Sequence, residues 1–159
     1  MAWSKIGTDV GVAITAGAGS QSITLPGPPA AGDVVFVAVA GDISCQNSIP
    51  SDYTRPENGT GANPGACFGY KVMGSTPDTT VAIVRHATVL KSCVVQVWRG
   101  GDGAILDVAW ATATGTSNAP DPPARTTTTL NTLVVAVAFL DDDDTTVSSY
   151  PSSYTNGIS

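Results

Sequence analysis

The sequence predicts an all-β protein of sandwich or barrel type, and three observations carry that expectation. Residues that build amphipathic helices are nearly absent. Glu57 is the single glutamate, lysines are limited to Lys5, Lys71 and Lys91, and charged residues make up 13% of the 159, against roughly 25% in ordinary domains. Valine and threonine, the β-branched strand formers, are abundant. Apolar residues also recur in short runs with a period of two, and no 3.6-residue period appears. Finally, 17 glycines and 11 prolines punctuate those runs at intervals of about eight to twelve residues, the rhythm of strands joined by turns.

The strands follow in order. Val10, Val12 and Ile14 alternate with Gly11 and Ala13, which suits a half-buried strand. Residues 20–25, with Ile23 and Leu25, form the next, closed by Pro26-Gly27-Pro28-Pro29, where successive prolines withhold ladder donors. Gly32-Asp33 then leads into residues 34–40, which are apolar on both faces, as expected of a central strand covered on each side. A long loop is expected over 41–64. After it Phe68, Tyr70 and Val72 alternate with smaller or polar residues, and Pro77-Asp78 turns the chain into 79–85. Residues 89–98 read as another strand, ended by Arg99-Gly100-Gly101-Asp102-Gly103, a strong turn signal. Residues 105–113, 125–130 and 133–140 complete about nine expected strands.

Length fits one domain covering residues 1–159, with enough chain to bury a core without metals or disulfides. The net charge of −6 with seven scattered basic residues argues against nucleic acid, which demands clustered Lys and Arg. Apolar runs such as 34–40 fall short of the ~20 residues that cross a bilayer as a helix, so no membrane partner is expected. No apolar block follows Met1-Ala2-Trp3-Ser4-Lys5, so a secretory leader is not expected either. Cys45, Cys67 and Cys93 are odd in number and form no Cys-x-x-Cys motif. They read as buried thiols, with one bridge between two of them, or a bridge to another subunit, left open.

One internal echo stands out. Val35-Phe36-Val37-Ala38-Val39-Ala40 leads through a polar loop to Pro50-Ser51-Asp52-Tyr53-Thr54. Val134-Val135-Ala136-Val137-Ala138 leads through another to Pro151-Ser152-Ser153-Tyr154-Thr155, about a hundred residues later. In a two-sheet protein this implies that the halves use equivalent strands. The first copy is followed by a further strand at 66–72, whereas the second is followed only by Asn156-Gly157-Ile158-Ser159. The expectation is a closing strand supplied by further chain or by a neighbouring subunit at an uncovered sheet edge.

These patterns resemble tailed-bacteriophage virion proteins. The residues that carry the resemblance are Met1-Ala2-Trp3-Ser4-Lys5-Ile6-Gly7, the proline-rich 26–31, Gly32-Asp33-Val34-Val35, and Val95-Gln96-Val97-Trp98-Arg99-Gly100. The two Pro-Ser-x-Tyr-Thr units belong to the same pattern. The resemblance implies an antiparallel jelly-roll-like β-sandwich in a head decoration, head fibre or tail fibre. It implies a structural component of the particle exterior, assembled in the bacterial host cytoplasm and acting through contacts with its own copies and with other virion proteins. Its single compact domain favours head decoration or head fibre. The alternative is a receptor- or glycan-binding domain of a tail fibre, with host surface glycan as partner.

No catalytic signature accompanies these patterns, and the chain is not expected to be an enzyme. His86 is the sole histidine and has no nucleophile elbow to serve, although Asp107 or Cys93 could formally complete a triad with it. Glu57 and Asp107 are the carboxylates a glycosidase reading would need. Asp141, Asp142, Asp143 and Asp144 are the candidate ligands for a hard cation such as Ca²⁺, which takes oxygen donors, though their spacing is not that of an EF-hand. Otherwise no cofactor is expected. For a binding tip the candidates are Asp42, Tyr53, Asp141 and Tyr150. Trp98 and Tyr70 read as core, and Tyr53 and Tyr154, in matching slots after Pro-Ser, also read as plugs at the ends of the sandwich.

Overall fold

The computed structural model describes residues 2–42, 45, 47–57, 65–100, 107–111 and 123–139. Among them there is no helix, and seven strands form two antiparallel sheets. The strands are β1 (Ser4–Ile14), β2 (Ser20–Thr24), β3 (Val34–Gly41), β4 (Thr54–Glu57), β5 (Gly65–Val72), β6 (Thr80–Val84) and β7 (Lys91–Arg99). The larger sheet has the order β1-β7-β3-β5-β4, and β2 pairs with β6 in the smaller.

Register explains the core. Val39 of β3 lies between Cys67 of β5 and Cys93 of β7, Val37 between Gly69 and Val95, and Val35 between Lys71 and Val97. Side chains alternate across a strand, so Val35, Val37, Val39, Cys67, Cys93, Val95 and Val97 share one face, and all are buried. Ile23, Val81 and Ile83 from the smaller sheet belong to the same buried cluster, with Ile14, Leu25, Ile49 and Tyr53 closing it. The three thiols are buried, and no disulfide joins them. Burial pushes Cys67 up to about 12, with Cys45 adding to the shift, and burial does the same to Cys93, there with Cys67 adding.

Two turns pin the sheet's end. Gly7 sits at a register shift between Ile6 and Val10 with φ +68°, a left-handed conformation that glycine adopts without penalty. A Cβ there would meet the Gly27 nitrogen at 2.7 Å and the Pro26 carbonyl carbon at 2.9 Å. The bulge of β1 therefore seats directly on the proline-rich turn. At the start of β3, buried Asp33 accepts hydrogen bonds from Arg99 Nε at 2.8 Å, Arg99 Nη2 at 2.7 Å and the Ala30 amide at 2.7 Å.

Two expectations are corrected. β4 lies inside the stretch expected to be loop. It pairs with β5 at Thr54 and Glu57 around a register irregularity, and its Thr-Arg-Pro-Glu sequence has no apolar alternation to announce it. Proline is tolerated there because β4 is an edge strand among those described. The strands expected at 105–113, 125–130 and 133–140 are absent wherever those residues are described, at 107–111, 125–130 and 133–139. The two copies of the internal echo therefore differ. Residues 35–40 lie within β3, paired on both sides, whereas residues 134–138 pair with no other described segment. Period two specifies which side chains share a face, but a strand forms only where a partner supplies the ladder.

Candidate interaction surface

The second face of the larger sheet is also apolar. Phe36 lies between Tyr70 and Gln96, Ala38 between Phe68 and Val94, and Val34 between Val72 and Trp98. Phe36 stacks on Phe68 with centroids 5.8 Å apart and tilts against Tyr70 at 6.3 Å. Trp110, from the stretch 107–111, covers part of this row, 4.9 Å from Phe68 and 6.4 Å from Tyr70. Phe68 and Tyr70 are buried beneath it, while Phe36, Val94 and Trp98 are half-buried and Val72 is exposed. Trp98 donates from Nε1 to Gln96 Oε1 at 3.1 Å. Trp98 and Tyr70 thus belong to this outer aromatic row, not to the core between the sheets. Offset and tilted ring pairs at such separations contribute about 0.5–1.5 kcal/mol each beyond their buried area.

The cover is anchored by Asp107. Its carboxylate accepts hydrogen bonds from the Thr128 hydroxyl and amide and from the Thr129 amide. Those bonds, the Thr128 hydroxyl's first, hold its carboxyl below the usual range. Beyond this anchor the chain presents large apolar side chains to solvent. Leu130 is 93% exposed, Val134 54% and Val137 37%.

The candidate tip residues separate. Asp42 is exposed at the end of β3. Tyr53 is 5% exposed, its ring packed into the core cluster with Lys71 Nζ 5.8 Å from the centroid. This corrects its place as a tip contact: Pro50 and its neighbours turn the ring inward as a plug, and burial raises its hydroxyl's pKa. Lys71 in turn donates to Asp52 and Asp78. Asp141, Asp142, Asp143, Asp144 and Tyr150 lie outside the described residues, as does the side chain of Glu57.

Catalytic groups are not brought together among the described residues. His86 Nδ1 accepts from the Thr88 amide at 3.3 Å, Asp107 is engaged by Thr128 and Thr129, and Cys93 is sealed in the core. No group of three or more His, Cys, Asp or Glu among the described residues could hold a metal ion.

The polar cluster that sequence reasoning missed surrounds Lys91. The residue is 6% exposed, and its Nζ donates to Ser48 Oγ at 2.7 Å and to the Val84 carbonyl at 3.3 Å. Among the described residues no carboxylate lies within ion-pair distance of it. Cys45 adjoins the cluster. Burial raises its thiol, while the Lys91 charge and the Ser48 hydrogen bond pull the other way. Serine beside lysine is a nucleophile and base pair in some hydrolases. Here Ser48 is 1% exposed, so no substrate reaches the hydroxyl. The cluster instead fastens the 45–50 turn to β6 and β7, since the Val84 amide also donates to the Ser48 carbonyl at 2.9 Å. The available signal was parity: Lys91 shares the face of Cys93, Val95 and Val97.

Comparisons of the chain with protein-family models, with curated proteins and with solved structures find no match.

Proposed function

We propose that this chain is a structural component of a bacteriophage particle, displayed on the exterior as a head decoration or head fibre, and built as a jelly-roll-like β-sandwich. Its mechanism is burial of apolar and neutral polar surface against other copies of itself and other virion proteins. The observation that carries this reading is exposed apolar surface of large residues, Leu130, Val134 and Val137, with no partner within the described chain. Large apolar side chains left in solvent and grouped within one short stretch, here residues 130–137, are a feature of interaction sites. Support also comes from the residues that carry the virion-protein resemblance, because three distant stretches meet at one end of the larger sheet. Ser4, Lys5 and Ile6 pair with Arg99, Trp98 and Val97, Gly7 abuts Pro26 and Gly27, and Arg99 binds Asp33.

The test is location. In cryo-electron microscopy of purified particles, antibody fragments against this chain should decorate the outer surface of the head. Decoration confined to the tail tip would favour the receptor- or glycan-binding alternative, and absence from the particle would overturn both.

A further inference from the structure

Residues 133–139 have the alternation of a strand without its partner. Leu133, Val135 and Phe139 are half-buried, Val134, Ala136 and Ala138 are exposed, and Val137, of the same parity as the first three, is 37% exposed. Bulky residues thus alternate with mostly smaller ones, and one of the bulky set stands in solvent. No backbone hydrogen bond links this stretch to another described segment. The same pattern in residues 35–40 is realised as part of β3, with a ladder on each side.

The sheet edges differ in how they are protected. β1 carries Lys5 and Asp9 and an irregularity between Ile6 and Val10, and charges and bulges both discourage pairing. β4 is four residues long and contains Pro56. The far side of β6 is partly taken, because the Val84 amide donates to Ser48. Among the described residues β2 has no such protection. Arg85 donates to the Gly19 carbonyl and Leu25 to the Thr79 carbonyl, which places the odd-numbered residues of this pair in the ladder. The main-chain groups of Ser20, Ser22 and Thr24 therefore point away from β6. These three residues are exposed, and the strand holds neither charge nor proline.

From an unpaired strand sequence and an unprotected edge, we infer that residues 133–139 of one copy add as a strand to the β2 edge of a second copy. This rests on the assembly reading above and names its junction. Main-chain hydrogen bonds supply the affinity, and the alternating Leu133, Val135, Val137 and Phe139 supply the apolar face, as in other cases of strand addition. The occupant is a second copy because every copy carries both halves of the junction, the strand sequence 133–139 and the uncharged β2 edge, and no backbone hydrogen bond joins the two within one protomer.

The experiment uses the full chain. Light scattering over a dilution series should give masses above the monomer, and hydrogen exchange should show amides of 133–139 protected only where assembly occurs. Ser22→Pro deletes an outward amide while leaving the β2–β6 ladder intact. Val135→Pro and Ala136→Pro act on the donor strand, where one of two adjacent amides faces the partner. Ser22→Pro and at least one donor variant should weaken assembly roughly tenfold or more. Mixing Ser22→Pro with that donor variant should restore one junction per pair, which misfolded protein could not do.

Assembly unchanged in all three variants would overturn this junction while leaving the assembly reading intact. Protection of 133–139 in the dilute monomer would overturn it too, by showing the strand paired within its own protomer. A chain that stays monomeric and is missing from particles would end both readings.

Discussion

At the scale of single residues, the Asp33–Arg99 pair shows how a charge becomes structural. Asp33 is 1% exposed, and a carboxylate so placed must have its oxygens occupied. Arg99 supplies two donors and Ala30 a third. The Arg99 hydrogen bonds hold the Asp33 carboxyl below its ordinary value of 3.8. A carboxyl lowered on folding contributes stability that is complete above the unfolded value and is lost as pH falls through the folded one. Asp33→Asn should therefore lower the melting temperature by several degrees at neutral pH. The difference from wild type should shrink below pH 3.8, where the wild-type carboxylate itself takes up a proton. Melting curves across that range check both parts. Gly7 makes a second point at this scale. Gly7→Ala meets backbone at 2.7 Å and at positive φ, so chemical denaturation should show a loss of about 1–3 kcal/mol, far more than an exposed glycine-to-alanine change costs.

At the scale of elements, β3 shows what apolarity on both faces means. Its odd residues meet the smaller sheet and its even residues carry Phe36 into the aromatic row. One face is covered by β2 and β6, the other in part by Trp110. Trp110→Ala would uncover Phe68 and Tyr70. Urea denaturation should report a loss of about 2 kcal/mol, a half-buried tryptophan's share of the usual large-to-small cost, and binding of an apolar dye should rise. An unchanged midpoint would mean that the row does not need this cover. Several elements were legible from their residues: β3 from its apolar run, β5 from Phe68, Tyr70 and Val72, and β7 from Val95 and Val97. β4 was not, because a short edge strand is selected by its neighbour's free ladder and carries no pattern of its own. Residues 133–139 erred in the other direction, with a strong pattern and no ladder to any described segment.

At the scale of the whole molecule, the chain is charge-poor and carries exposed apolar residues beyond its sheets. An interface of this composition gains little from ion pairs, so self-association should survive a rise from ~0.1 to ~1 M sodium chloride, a range over which screening removes most surface electrostatics. Sulfate, which is excluded from apolar surface, should strengthen it. Sedimentation in the two salts distinguishes this from a charge-driven assembly, which would dissociate. The candidate surface itself was only partly readable. Exposure of Asp42 follows from its loop, but burial of Tyr53 and of Lys91 depends on which loop folds over which strand.

The amino-acid order by itself determined the all-β class and most strand positions. It also determined the side-chain faces of those strands, since a two-residue repeat of Val, Ile, Phe and Tyr permits little else. Only the tertiary arrangement decided that β7 lies between β1 and β3, that Trp110 caps the aromatic row, and that among the described residues 35–40 pair while 134–138 do not. Alternation specifies a face through local geometry, whereas pairing needs a second strand's free amides and carbonyls. Those are brought into place by contacts between residues far apart in the chain.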